Sequence, residues 1–371
     1  MKDVKNLNNM KKTTKKDMIT YAIVLAMFIF CVFYTTTGLA SHLFRGLLVP
    51  ICVNVILAIS LNLTVGILGE LSLGHAGFMC VGAFVGSVFS MAAQEAIQSV
   101  WIRFPLAFIV GGLTAAIIGL LVGIPVLRLR GDYLAIVTLA FGEIIKNIVN
   151  NIYLATDVNG VHFAIGVEAY NNIAFDAATK KVYVNGAMGI TSTPNDSNYI
   201  VGFILIFITL IIILNLVNSR TGRAIMAIRD NRIAAESTGI NITKYKLIAF
   251  VISAFFAGVA GVLYGHNLSS LVATKFDYNY SILILVFVVL GGIGSMRGSI
   301  IAAIILTALP ELLRGLSDYR MLMYAIILIV MMLVNNNETL HMYTQKWFGA
   351  LNVKKWIGKG KAKNGIKEGV S

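Results

Sequence analysis

The sequence predicts an all-α polytopic membrane protein of about ten transmembrane helices, and three observations carry that class. First, 57% of the 371 residues are hydrophobic and 13% are charged, with a mean hydropathy of +0.81. A soluble domain holds about a quarter charged residues, so two soluble domains do not fit. Second, apolar runs approaching the roughly 20 residues needed to cross a bilayer recur along the chain. Third, the formal net charge of +13 is concentrated at the ends, where residues 1–17 and 346–371 hold thirteen lysines against three acids. Basic tails beside apolar spans read as cytoplasmic tails held against anionic lipid. They do not point to nucleic acid, because no aromatic interleaving or nucleic-acid fold signature accompanies them.

Taken in order, residues 1–17 form a basic tail and 18–345 a transmembrane domain, followed by the second tail, 346–371. Met18–Tyr34 opens the domain as an uncleaved first span; its polar leader is long for a signal peptide, although Gly38-Leu39-Ala40 offers a small-x-small site. A second span covers about Leu43–Val65 and runs into a glycine-rich stretch holding Gly66, Gly69, Gly74 and Gly77 with Glu70, Ser72 and His75. Glycine lets a helix break and backbones approach, so this stretch is a candidate translocation pathway. Ionisable groups at membrane depth are costly, which makes Glu70 and His75 functional candidates; the alternative puts both near the cytoplasmic interface, satisfied by water. A lone His is no metal site, and none is expected. Cys31, Cys52 and Cys80 lie in apolar spans without ligand spacing and read as small hydrophobes.

A span over about Phe104–Leu127 precedes an inside turn marked by Arg128, Arg130 and Asp132, and 133–153 forms the next. Glu143 and Lys146 lie three apart and share a helix face, a neutralising intramembrane pair. Residues 153–198 form an extracytoplasmic loop, with a small hairpin expected at Lys180-Lys181-Val182-Tyr183-Val184. Later spans are 199–217, Leu247–His266, Tyr280–Met296, Ser299–Leu316 and Met321–Val334. Gly291, Gly292 and Gly294 make a second glycine-rich stretch of the pathway. An internal echo suggests two halves: Arg130-Gly131 precedes Glu143 and Lys146, as Arg297-Gly298 precedes a second pair, Glu311 and Arg314. The spans place both termini and every arginine-rich turn inside; eight spans remain if two glycine-rich segments are re-entrant.

The loop 219–245 is a polar segment running straight into apolar spans. With Lys246 it carries six basic residues, Arg220, Arg223, Arg229, Arg232, Lys244 and Lys246, against Asp230 and Glu236, which marks a cytoplasmic loop. Asp230 is the expected N-cap and Gly239, followed by Ile240, the expected stop of a helix about two turns or roughly 10 Å long. Ala234, Ala235 and Ser237 keep its surface small, suited to another protein's groove. A solvated connector helix has the same features.

Four stretches together resemble permeases of branched-chain amino acid ABC transporters. They are GRAIMAIRDNRIAAESTGINITKYKLIAFVISAFFAGVAGVLYG from Gly222, NLTVGILGELSLGHAGFMCVGAF from Asn62, RLRGDYLAIVTLAFGEIIKNIVNN from Arg128, and VVLGGIGSMRGSIIAAIILTALPELLRGLSDYRMLMY from Val288. The resemblance implies an ABC importer permease bundle in a bacterial cytoplasmic membrane, with 219–245 as a coupling loop. Gly222, Arg223, Arg229, Asp230, Ala234, Ala235, Glu236 and Gly239 would be its ATPase-coupling residues. It implies as partners a second permease subunit, two ATP-binding subunits and an extracytoplasmic solute-binding protein. No P-loop GxxxxGK[ST] is present, so no cofactor is expected on this chain, and ATP with Mg would sit on the partner subunits. The solutes implied are branched-chain amino acids; permeases for urea or a simple sugar share the superfamily. Asn335-Asn336-Asn337 departs from the Arg-Pro-Gln-Gly type of ending usual there. The same composition also suits an ion-coupled carrier with Glu143 or Glu311 as a proton site, though a carrier has no need of a coupling loop. An enzyme is disfavoured, since no catalytic constellation lies at a common depth.

Overall fold

The computed structural model describes residues 2–37, 41–129, 131–157, 160–173, 181–313 and 319–336. The chain forms two compact units, Met1–Ala308 and Leu309–Ser371. The first opens with α1 (Lys2–Thr36), α2 (His42–Asn62), α3 (His75–Ala92), α4 (Val100–Val126) and α5 (Asp132–Asn150). After β1 (Ile152–Asp157), β2 (Gly160–Ile165), α6 (Val167–Asn171) and β3 (Lys181–Asn185) come α7 (Tyr199–Asn218), α8 (Arg220–Asp230), α9 (Arg232–Ser237), α10 (Ile242–Gly265) and α11 (Tyr278–Gly291). Helix α12 (Met296–Leu312) runs across the boundary, and α13 (Arg320–Asn336) belongs to the second unit.

Seven helical segments among the described residues are long and apolar enough to cross a membrane: Asp17–Thr36, Phe44–Leu68, His75–Ala92, Val100–Val126, Tyr199–Asn218, Ile242–Gly265 and Ala273–Gly291. The expected count of about ten is not reached on that criterion. Helix α5 carries Asp132, Glu143 and Lys146, and α12 and α13 are 17 residues each. The basic tail 346–371 and Arg314 lie outside the described residues.

Helix α2 is the axis of the first unit. It starts where the Ser41 hydroxyl accepts from Phe44 N at 3.3 Å, passes Pro50 without interruption and continues as a π-helical turn, Leu63–Leu68. Its membrane-length window is wholly buried, as expected of a helix that is apolar all round. Beside it, α3, α4 and α10 meet backbone to backbone. A Cβ on Gly111 would come within 2.9 Å of the Gly82 carbonyl oxygen, and one on Gly258 within 2.8 Å of the Gly111 oxygen; a Cβ on Gly82 would run into the Gly258 backbone. Lipid tails are as apolar as leucine, so helices in a membrane associate through such close fits between small residues.

Polar ties fix the two ends of this unit. At one end Asn218 Nδ2 donates to Asp17 Oδ2 at 2.9 Å, Arg297 Nε donates to Thr20 Oγ1 at 3.0 Å, and α8 and α9 pack below α10. At the other, Arg103 pairs with Asp196 at 2.7 Å and Ile190 bridges Leu271. Lys181 Nζ donates to Glu95 Oε1 at 3.1 Å, a bond that raises the lysine's pKa.

The structure moves several expected boundaries. Helix α5 stops at Asn150, short of 153, because β1 begins at Ile152. The strand expected at 180–184 forms no hairpin of its own. As β3 it pairs antiparallel with β1, on the side opposite β2, in a sheet of order β2-β1-β3. Helix α10 starts at Ile242 rather than Leu247, since the Asn241 side chain accepts from Lys244 N at 3.0 Å and caps it. Under the sheet, α3, α4 and α5 line an open groove of about 680 Å³ whose lining, including Phe84, Val110, Leu121, Ile145 and Val184, is entirely apolar.

The three-helix contact makes a direct prediction. Gly82→Ala should lower the stability of the purified protein by about 1–3 kcal/mol, the usual cost of overpacking. Gly46→Ala, with nothing within 4 Å of the added carbon, should stay within roughly 0.5 kcal/mol of the parent. Thermal unfolding in detergent compares the two, and equal melting temperatures would refute the packing argument.

Candidate functional site

The end of α2 gathers most of the residues singled out in the sequence. A helix leaves its last carbonyls without intrahelical donors, and at membrane depth each must be satisfied by protein. Gly69, at φ +80°, turns the chain, and the Gly69 and Glu70 amides both donate to Thr64 O. The Gly66 carbonyl is taken by Arg229 of α8, whose Nη1 donates at 3.1 Å. The stem of Arg229 lies on Gly69, where a Cβ would come within 2.6 Å of its Cγ. Glu70 then pairs with Lys246 of α10, whose side chain is 4% accessible.

The second glycine-rich stretch docks on the same point. Gly294 N donates to Asn62 Oδ1 at 3.0 Å, and Asn62 Nδ2 donates to Ser299 Oγ at 3.0 Å. A Cβ on Gly66 would lie 2.7 Å from Gly294 Cα. Gly292 and Gly294, at φ +92° and +82°, turn the chain between α11 and α12, and Gly291 presses on the backbone of Gly298. The two stretches, more than 200 residues apart, thus touch through their backbones.

Past Gly69 the chain runs without helix to Gly74, which packs against Thr138, and Leu73 N donates to Thr138 Oγ1 at 3.0 Å. His75 opens α3. The water-satisfied reading fails for it: the residue is 2% accessible, and its Nε2 shares a 2.8 Å hydrogen bond with Ser60 Oγ. Ser72 is buried too, and its hydroxyl has no partner among the described residues. Ala76 N donates to Ser281 Oγ at 3.0 Å, which ties the first turn of α3 to α11.

Lys146 Nζ donates to Glu143 Oε2, and the second carboxylate oxygen accepts from Tyr278 N, at the start of α11, at 2.9 Å. Their side chains are 16% and 26% accessible. Glu311 stands near the end of α12, and the pairing expected with Arg314 falls outside the described residues.

The loop 219–245 holds two helices rather than one. Ser219 caps α8, accepting from Gly222 N at 3.2 Å, and Gly222 packs against the carbonyls of Leu216 and Val217. Arg223 donates to Asn218 O at 3.1 Å. Asp230 is not the N-cap: it ends α8 and accepts from Arg229 Nη2 at 2.9 Å. The cap of α9 is Asn231, whose Oδ1 accepts from Ala234 N at 3.1 Å. An extended backbone at 231 lets its side chain reach forward, which a residue still inside α8 cannot do. The stop at Gly239 takes the Schellman form. Gly239 N donates to Glu236 O and Ile240 N to Ala235 O, with Gly239 at φ +83°. Ala235 and Ile240 pack with Ile228, Ile242 and Tyr245, while Ala234, Glu236 and Ser237 face out. Ile233, an exposed apolar side chain at 80% accessibility, was not anticipated.

Residues 43–334 match the family described as branched-chain amino acid transport system, permease component. The chain belongs to this family. It is 37% identical over 288 residues to the high-affinity branched-chain amino acid transport system permease protein LivM of Salmonella typhimurium, and 36% identical to that of Escherichia coli. In both cases the match covers 76% of this chain and 66% of the relative, so the chain spans about two-thirds of the length of these relatives. The ribose import permease protein RbsC of Haemophilus influenzae is 32% identical over 123 residues, 31% of this chain.

As a member of the permease family the chain is a multi-pass membrane protein, and the match takes in both glycine-rich stretches and the 219–245 loop. Asn62, Ser60 and the inward-turned Lys246 were missed as site residues. Asn62 carried a readable signal, an amide ending some twenty mostly apolar residues; the orientation of Lys246 carried none. Among the described residues no group of three His, Cys, Asp or Glu is placed to hold a metal.

The Glu143–Lys146 pair yields a second prediction. Glu143→Gln should cost at most about 3–5 kcal/mol, the loss on stranding one partner of a buried pair. Adding Lys146→Met should restore much of it, because a paired charge contributes little once desolvation is counted. Melting temperatures of the single and double variants decide; a double variant no more stable than Glu143→Gln would count against a structural pair.

Proposed function

We propose that this chain is the transmembrane permease subunit of an ATP-driven ABC importer in a bacterial cytoplasmic membrane, and that it passes branched-chain amino acids. The observation that carries the reading is the family match over residues 43–334, joined by the LivM relatives aligned over 76% of the chain. The shape of 219–245 supports it. Helix α9 is capped at both ends, seated by Ala235 and Ile240, and offers Ile233 and Ala234 outward between basic residues. A small apolar tip on a fixed short helix suits a groove on another protein.

In this reading two ATPase subunits bind ATP and Mg, a second permease chain completes the membrane core, and a binding protein delivers solute outside. The chain has about ten spans, with both termini and 219–245 in the cytoplasm and 153–198 outside. Closure of the ATPases moves α8 and α9, and the bundle alternates between outward and inward openings. The apolar bundle accommodates an aliphatic side chain, and buried hydroxyls such as Ser72 are suited to the zwitterion's passing charges. A simple-sugar permease is the second reading, favoured by ribose and fructose import permeases that match about a third of the chain.

Co-expression with its partners and reconstitution into vesicles tests the function. Leucine uptake should require ATP and the binding protein. Uptake driven by a pH gradient alone, and abolished by Glu143→Gln, would instead establish a proton-coupled carrier.

Two further outcomes follow from the placement of the loops. Ile233→Asp should insert normally yet lose co-purification with the ATPase subunits by tenfold or more, on the order of the loss when an interface anchor is removed. Retained co-purification would remove Ile233 from the interface. In a background with Cys31, Cys52 and Cys80 replaced, single cysteines at Asn241 and Lys181 should react with an impermeant reagent from opposite sides. Labelling of both from one side would overturn the span assignment.

A further inference from the structure

The coupling loop and the glycine-rich stretches, separate groups in the sequence, are joined in the structure by one side chain. Arg229 is the penultimate residue of α8. Asp230 Oδ1 accepts from its Nε at 3.1 Å and from its Nη2 at 2.9 Å, and the planar guanidinium is thereby aimed. The remaining nitrogen, Nη1, donates to Gly66 O at 3.1 Å, a carbonyl left over by the end of α2. Gly66 is in turn pressed on Gly294, and Asn62 holds Gly294 N and Ser299 from one amide. On the far side of α9, Lys246 grips Glu70. The turn 66–70 is therefore held by one basic residue before α9 and another after it.

We propose that Arg229 is the positioning residue through which α8 and α9 act on both helix breaks, with Asp230 orienting it. The inference rests on the coupling reading above and adds the linkage to it. When α8 shifts, Nη1 carries the Gly66 carbonyl with it. Because Gly66 and Gly294 are in backbone contact, the turn between α11 and α12 must follow. Gly69 is the required partner: only a residue without Cβ leaves room for the arginine stem, and its φ of +80° lets the chain turn there. A charged donor on a helix-terminal carbonyl is also the arrangement the helix dipole favours.

The test is the amount of solute imported per ATP hydrolysed by the purified, reconstituted complex with its binding protein. Arg229→Met keeps the stem and deletes the donors; the ratio should fall on the order of tenfold, within the range of coupling energies carried by single residues. Arg229→Lys, which retains a donor, should recover most of it. Gly69→Ala, which displaces the stem while leaving Arg229 in place, should reproduce the loss and decides the matter if Arg229→Met assembles poorly. A merely structural role would reduce the yield of complex and leave the ratio untouched; an unchanged ratio in Arg229→Met or in Gly69→Ala overturns the proposal. If the parent complex shows no ATP-dependent uptake, the importer reading itself fails and the linkage falls with it.

Discussion

A helix that ends inside a membrane protein must find hydrogen-bond donors for its last carbonyls, and here that constraint falls on α2. From Ile51 through the π-turn to Leu68 every residue is buried, and there each unsatisfied group would cost several kcal/mol, roughly the penalty of an unpaired amide in an apolar medium. The chain meets the constraint in two ways, and a third contact ties the end of α2 to the second glycine-rich stretch. The π-turn 63–68 and Gly69 fold the backbone so that local amides serve Thr64 O. Arg229 reaches in from α8 for Gly66 O, and the Asn62 amide spans the gap to the second stretch. The site exists because α2 stops where it does.

The same physics decides how charge is carried. Lys246 would be intolerable as an isolated cation at 4% accessibility, yet it faces Glu70; Lys146 faces Glu143, and Arg103 faces Asp196. Each pair joins or braces segments that must be held in register: 70 to α10, α5 to the start of α11, and α4 to the loop before α7. Buried pairs add little to net stability. Their contribution is positional, and it complements the glycine contacts among α3, α4 and α10, which supply close packing but no direction.

Much of the fold was legible because membrane spans are a one-dimensional signal: hydropathy and length place α2, α4, α7, α10 and the membrane-length part of α1, Asp17–Thr36, within about five residues, although α1 itself begins at Lys2. Local chemistry was legible too where it is local. The i,i+3 spacing put Glu143 beside Lys146, and Gly239 before Ile240 announced a helix stop. What could not be read is pairing at a distance. Nothing in residues 180–184 says that β3 joins β1 rather than a neighbour. Nothing in Arg229 or Lys246 tells an inward cation from the ordinary basic surface of a polar loop. The choice between Asp230 and Asn231 as cap turned on one residue of backbone, since α8 extends through 230 and only 231 is extended. That His75 would be buried against a hydroxyl was not legible either, because its partner, Ser60, belongs to another helix.

The internal echo looks different in three dimensions. Arg130-Gly131 and Arg297-Gly298 suggested equivalent halves, but Gly131 precedes α5 while Gly298 lies within α12, pressed on Gly291. A closer correspondence is between Gly69 and Gly292. Each has positive φ, each follows the end of a helix, and each precedes another, α3 in one case and α12 in the other. The two breaks sit against each other at Gly66 and Gly294 rather than at separate places in the unit. A backbone contact of this kind has no rotamers to absorb a displacement, so one break cannot turn without its neighbour responding. Side chains elsewhere in the bundle can repack, but between these two glycines only the backbone can move. At Gly66 that contact leaves no room for a Cβ, at Gly294 a φ of +82° disfavours one, and a single arginine on the first therefore bears on both.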